Sequence, residues 1–266
     1  KLINSNDIDA ISFTGSLAVG KRVAVAAASN LTKFQLEMGS KNALVVLDDA
    51  DLDNAADCAV NGAFGGTGQK CTASSRLIVT AGVHDAFVAK VQERMAKLKV
   101  GGALEEGVTI GPAVDAKQYA QNKEYFKLAK DEGAQLVCGG EFDDSQGYCM
   151  APALFINTTI QMRINTDEAF APLACVIKVA DYEEALATLN DTQYGLTGGI
   201  CTTSLKYATH FKRNAKTGCV MVNLPTAGTD YHVPFGGRKN SSFGSREQGK
   251  YAEEFYTEVK TTYMKA

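Results

Sequence analysis

Several large classes of protein are excluded by what this sequence lacks. None of its seven cysteines (58, 71, 138, 149, 175, 201 and 219) stands in a Cys-x-x-Cys pair, and their number is odd. Neither a disulfide framework nor a zinc ribbon is written here, and a reducing, cytoplasmic setting is expected. The three histidines, His84, His210 and His232, are too scattered to make a metal-ligand set. Positive charge is not in excess, with 27 Lys and Arg against 30 Asp and Glu, and no basic cluster interleaved with aromatics offers a nucleic-acid footprint. No apolar run approaches the roughly 20 residues of a membrane span. The chain also starts without Met, at Lys1-Leu2-Ile3-Asn4, and reads as a fragment, so the lack of a leader here says nothing about a longer protein.

What is present is a globular composition: 266 residues, 45% of them hydrophobic, without internal repeats or low-complexity segments. Short apolar runs at 9–13, 33–38, 43–47 and 77–79 read as strands, the third as one buried on both faces. Further strands are expected at 135–138, 153–157, 174–179, 197–201 and 219–223. Helices are expected at 17–29, from a cap at Asp51 to Phe64, and at 84–98, 115–132, 181–190 and 204–214. The alternation argues for an α/β fold with a mostly parallel sheet. Residues 239–249 read as a polar link. In the tail, Phe255, Thr257, Val259, Thr261 and Tyr263 alternate with Tyr256, Glu258, Lys260 and Thr262, which predicts a terminal strand in need of a partner edge, in this chain or another.

The chain is organised around Gly62-Ala63-Phe64-Gly65-Gly66-Thr67-Gly68-Gln69-Lys70-Cys71-Thr72. Four glycines in seven positions mark a backbone that bends or approaches something closely. A cysteine at the end of such a bend is a candidate nucleophile, although the residue alone leaves open a small buried hydrophobe. Glu37, in apolar company, must be paired, solvated or given a raised pKa. Gly15-x4-Gly20-Lys21 resembles a phosphate-binding P-loop, but Arg22 stands where Ser or Thr would hold magnesium. A different phosphate-facing turn and an ordinary strand-to-helix connection both remain open.

Phe13-Thr14-Gly15-Ser16, Leu36-Glu37-Met38-Gly39, Gly68-Gln69-Lys70-Cys71, Glu168-Ala169-Phe170-Ala171-Pro172 and Pro234-Phe235-Gly236-Gly237, in that order, resemble the signature motifs of the NAD(P)-dependent aldehyde dehydrogenase superfamily. Glu37 and Cys71 lie 71 − 37 = 34 positions apart, the interval of that family's base and nucleophile. The resemblance covers essentially the whole chain and implies the C-terminal half of such an enzyme. The implied units are the end of a Rossmann-like cofactor domain (1–38), the catalytic domain (39–238), and a return segment with an oligomerisation strand (239–266). The oxyanion-hole asparagine and most of the adenosine-ribose pocket would lie upstream.

The resemblance further implies that Cys71 attacks an aldehyde, that the thiohemiacetal is oxidised by NAD or NADP to a thioester, and that Glu37 serves as general base for the thiol and then for water. The Cys71 N–H would form part of the oxyanion hole. Gly15 and Ser16 would flank the cofactor pyrophosphate, Glu168 would bind the nicotinamide ribose and Phe170 would pack nearby. Thr72 and the loop 223–232 would line the substrate mouth. Met38 and Ser40 depart from the family's usual run. The stretches 69–79, 223–228 and 237–249 resemble 2,5-dioxovalerate (2-oxoglutarate semialdehyde) dehydrogenases, for which no cationic anchor is evident in the sequence. A homodimer or homotetramer is implied for the whole protein. A CoA-acylating semialdehyde dehydrogenase is the alternative within enzymes, disfavoured by Glu37; an inactive folded fragment is the alternative outside them.

Overall fold

Two groups of apolar segments build two sheets in the computed structural model, which describes residues 2–145 and 147–266; Lys1, where the first expected unit begins, and Gln146 lie outside the described residues. The small sheet comes first. Strand β1 (Ala10–Thr14) leads through Gly15 into helix α1 (Leu17–Ser29), and β2 (Lys33–Glu37) returns parallel to β1. Ser16 caps α1, its hydroxyl accepting from the Val19 N–H. Val23 of α1 packs with Leu36 and Met38 beneath this sheet.

Only Met38–Lys41 separate β2 from β3 (Asn42–Val46), so the chain passes directly from the small sheet into the large one. Helix α2 (Leu52–Phe64), capped by Asp51, then delivers the glycine bend; β4 (Ser74–Thr80), α3 (His84–Met95), α4 (Ala116–Asp131) and β5 (Gln135–Cys138) follow. A two-residue hairpin of β6 (Phe142–Asp143) and β7 (Cys149–Met150) precedes β8 (Ala153–Thr158), the short α5 (Arg163–Thr166) and β9 (Leu173–Val179). Helix α6 (Tyr182–Asn190), β10 (Thr197–Cys201), α7 (Leu205–Asn214) and β11 (Cys219–Val222) complete the large sheet. Its order is β11-β10-β3-β4-β9-β8-β5, with every pairing parallel except the antiparallel β5 edge.

The expected mostly parallel α/β architecture is therefore observed. Its central strands are apolar on both faces because both faces are covered. Leu44, Val46, Leu77 and Val79 pack with α2 and α3, and their neighbours Ala43, Val45, Ile78 and Ile200 pack with α6 and α7. Arg76 is an exception within β4: 1% exposed, it donates to the carbonyls of Lys41, Thr188 and Leu189 and so ties the end of α6 to the entrance of β3. Burial pulls its pKa down to about 10, with the Asp191 carboxylate opposing in part.

One expectation needs correction, and a second only where it starts. Residues 239–249 do more than link, since β12 (Ser242–Phe243) adds to β2 antiparallel. The terminal period-two strand is not paired within the described residues: Glu253–Tyr256 form a last helical turn, α8, and 257–266 leave it exposed and without a ladder partner. Phe255 is buried against the small sheet, where Lys33 donates to the Glu254 carbonyl; this anchors the turn while leaving the alternating residues after it without an edge to join. No helix among the described residues is long and apolar enough to cross a membrane.

Candidate active site

Where the two sheets meet, a cavity of about 850 Å³ is lined by Gly15, Ser16, Glu37, Cys71, Glu168 and Phe170 together. The six residues given catalytic or cofactor roles from the sequence therefore face one space, with Thr72 and, from the loop 223–232, Gly228 and Thr229.

Cys71 sits in the turn that precedes β4, half-buried, and the bend before it is unusual. Gly66, Thr67 and Gly68 all have φ between 61 and 65°, the left-handed region that glycine enters freely and threonine does not. Thr67 is held there by donating to the Gly111 carbonyl at 3.0 Å. At Gly68 an added Cβ would lie 2.3 Å from the Ala171 carbonyl oxygen, so the nucleophile loop rests on the loop that carries Glu168 and Phe170.

The turn after the bend is fixed from inside. Asn42, 2% exposed at the start of β3, donates to the carbonyls of Cys71 at 2.8 Å and Ala73 at 2.9 Å while its own carbonyl accepts the Thr197 N–H. Thr226 donates to the Thr72 carbonyl at 2.8 Å. Gln69 bridges outward, donating to the Pro112 carbonyl and accepting from the Val114 N–H.

Burial pushes the Cys71 thiol above its usual range, and the charges of Glu37 and Glu168 push it the same way. The amides of Cys71 and Thr72 oppose them by donating to the sulfur. Such a thiol stays protonated at neutral pH unless a base takes its proton.

Glu37 ends β2 and is 4% exposed. Burial raises its pKa to about 7, against the hydrogen bond from Ser242, while Glu247 raises it further and Arg246 lowers it. Those three residues come from 239–249, which the sequence offered only as polar; their signal was the cluster of serines and charges itself. Gly15 donates its N–H to the Glu37 carbonyl at 3.0 Å, joining the β1 turn to this site.

Glu168 accepts the Ser40 N–H through one carboxylate oxygen, Oε1, at 2.8 Å. The second, Oε2, crowds Gly39, where a Cβ would come within 1.8 Å of it. Desolvation raises this carboxyl too, against the Ser40 N–H and Lys41. Phe170 follows with φ of 54°, its carbonyl and that of Ala169 held by Gln118, with Gln121 adding a second bond to Ala169. The donor set suits a nucleotide: an α1 N-terminus without an acidic side chain in its first turn, and a carboxylate with one oxygen free to accept a hydroxyl. No group of His, Cys, Asp and Glu among the described residues could hold a metal ion.

The sequence pattern of the aldehyde dehydrogenase family matches residues 1–262. The chain is 41% identical over 268 residues to an alpha-ketoglutaric semialdehyde dehydrogenase of Bacillus subtilis, covering 99% of this chain and 55% of that protein. It is 41% identical over 265 residues to a 2,5-dioxopentanoate dehydrogenase of Saccharolobus solfataricus, covering 98% and 55%. Among solved structures, it superposes on an NAD-dependent aldehyde dehydrogenase of Sinorhizobium meliloti with a TM-score of 0.95 and 31% identity, over 97% of this chain and 51% of that one. An NADP-dependent enzyme of E. coli gives a TM-score of 0.93 and 34% identity, over 97% and 53%. The chain thus spans about half the length of these relatives.

Proposed function

The chain belongs to the aldehyde dehydrogenase family, and on that premise we propose that it carries the nucleophile and base of an NAD(P)-dependent oxidation of an aldehyde to a carboxylic acid. The observation that carries the proposal is the convergence of Cys71, Glu37 and Glu168 on one cavity across the junction of two sheets.

Glu37, with its pKa near 7, accepts the Cys71 proton at neutral pH without holding it so tightly that it cannot be released. The sulfur then forms a bond to the aldehyde carbon, and the carbonyl π electrons move to oxygen, which the Cys71 N–H meets. Gly15 and Ser16 would hold the cofactor phosphates at the α1 N-terminus, and the free oxygen of Glu168 would accept a ribose hydroxyl beside Phe170. A bound nicotinamide dinucleotide supplies the acceptor for the hydride that leaves the former aldehyde carbon. Glu37 first gives the Cys71 proton to solvent, then takes a proton from the water that adds to the thioester; the C–S bond breaks, the sulfur leaves as a thiolate that regains a proton, and the acid departs.

A short semialdehyde bearing a carboxylate is the proposed substrate class. Two relatives are named for such compounds. Lys70 is the one cation among the cavity-lining residues and makes no ion pair among the described residues. With its stem packed along the glycine bend at Gly65 and Gly66, Lys70 is the one cation of the lining that could meet the anionic end of that substrate.

Intact-mass analysis of the native protein that carries this chain, incubated with a semialdehyde and NAD or NADP, tests the reading. An acyl adduct that accumulates in Glu37→Gln and is absent in Cys71→Ala is the expected result. No adduct in any form of the native protein refutes it.

A further inference from the structure

Glu37 is gripped from the C-terminal segment. The antiparallel pairing of β12 with β2 sets Ser242 opposite Glu37, and side chains opposite one another on such a ladder lie on the same face. The Ser242 hydroxyl donates to Glu37 Oε2 at 2.6 Å. Ser242 Oγ in turn accepts the Gly237 N–H at 2.6 Å, and the Gly237 carbonyl accepts from Arg246 Nη1, also at 2.6 Å.

A hydroxyl has one proton to give. With the Gly237 N–H directed at a lone pair of the Ser242 oxygen, that proton is aimed at the carboxyl, and the peptide of Gly237 is itself fixed by Arg246. The arrangement favours a carboxylate in one orientation. Two aligned donors held by backbone geometry make a grip that a lone surface serine would not.

Building on the reading of Glu37 as the base, we propose that Ser242 is the positioning residue for Glu37: its hydroxyl holds the carboxylate ionised and oriented for the water that opens the thioester. The other charged groups facing Glu37 are Arg246, which favours the ionised form, Glu247, which opposes it, and the Cys71 thiol across the cavity. Arg246 and Glu247 remain in a Ser242 variant, so they do not substitute for the lost donor.

The test uses hydrolysis of p-nitrophenyl acetate by the native protein, which needs no cofactor. The burst of p-nitrophenolate reports acylation of Cys71, and the steady phase reports deacylation. In Ser242→Ala the burst keeps its amplitude, because Cys71 is still acylated, while the acid limb of the steady phase moves up by about one pH unit, the effect of losing one hydrogen bond to an ionised group. At pH 7 that lowers the ionised fraction of Glu37 from about a half to about a tenth, so deacylation slows about fivefold and recovers by pH 9. Ser242→Thr, which keeps the hydroxyl, holds the limb near its native position. Ser242→Cys, a poor donor of similar size, reads the same shift should the alanine variant not fold.

A limb that coincides with the native one overturns the proposal. So does a steady phase that quickens at every pH, which would mean that Ser242 holds the base away from water. Failure of the underlying reading looks different: Cys71→Ala would keep its burst, or Glu37→Gln would keep the acid limb.

Discussion

Replacing Gly68 by alanine tests whether the nucleophile loop and the cofactor-side loop are one packed unit. Two costs follow from the geometry. A left-handed φ of 65° disfavours alanine by roughly 1–2 kcal/mol. The new methyl carbon would also sit 2.3 Å from the Ala171 carbonyl oxygen and 2.9 Å from Pro172 N, a backbone clash no side-chain rotation relieves. Overpacking of this kind adds typically about 1–3 kcal/mol. Gly133 provides the internal control, because its φ is 91° but nothing lies within 4 Å of an added Cβ.

Gly133→Ala therefore carries the conformational cost alone, and Gly68→Ala carries both. At about 2–4 °C per kcal/mol for a protein of 150–250 residues, with larger proteins moving less, Gly68→Ala should melt several degrees below Gly133→Ala. The assay is thermal unfolding followed by far-UV circular dichroism, with alkylation of Cys71 by iodoacetamide as a local probe. The Gly68 variant should also alkylate at a changed rate, whereas the Gly133 variant, at the end of α4, should not. Melting temperatures within about a degree of each other, with equal alkylation, would refute the close approach of the two loops.

Other expectations concern single side chains. Glu37→Gln should slow deacylation by about a hundredfold or more in stopped-flow measurements and leave it without an acid limb near pH 7. Because the folded pKa of Glu37 lies above the ordinary carboxyl value of 4.5, the native protein should lose stability as pH rises from 4.5 through about 7, and Glu37→Gln should lose less over that window in urea titrations at each pH. Lys70→Met should raise KM for a carboxylated semialdehyde about tenfold or more and leave KM for propanal nearly unchanged; equal effects on both would remove Lys70 as the anchor. Arg76→Met removes the side-chain donor of the buried Lys41 and Leu189 carbonyls and should destabilise by about 3 kcal/mol or more in chemical denaturation.

Most of the fold was legible because the strands alternate cleanly with helices and the caps are written locally. Asp51 and Ser16 accept from the first turns of α2 and α1, and α1 occupies the expected 17–29. The tail misled only at its start, where 255–256 close a helical turn; beyond it, alternation describes a chain with two different faces and does not say whether the edge that receives it lies in this chain or another. Residues 242–243 misled in the opposite direction, because two residues are too short to carry a period and the strand exists through its pairing with β2. Within the site, the glycine bend made Cys71 conspicuous. Asn42 was invisible, since it stands at the head of an apolar run and its importance lies in three backbone groups of two distant segments.

That contrast follows from where the site lies. The C-terminal ends of β1 and β2 present Gly15 and Glu37, while the residues leading into β4 and β9 present Cys71 and the 168–172 loop; Asn42 and Thr197 head β3 and β10 beside them. The four residues Met38–Lys41 bridge the two sheets, and each of their neighbours is drawn into the junction: Ser40 bonds Glu168, and the Lys41 carbonyl takes Arg76. Lys41 is itself buried, with its pKa lowered by desolvation to about 8, so the junction holds two cations close behind the cavity. The Lys41 charge and the Ser40 N–H offset the burial of Glu168 only in part, and its carboxyl remains raised. The nucleophile and base can then be brought together without sharing an element: each is fixed by its own sheet, and the separation of 34 residues between them is the length of chain needed to leave one sheet, build β3 and α2, and return through the glycine bend to the other side of the cavity.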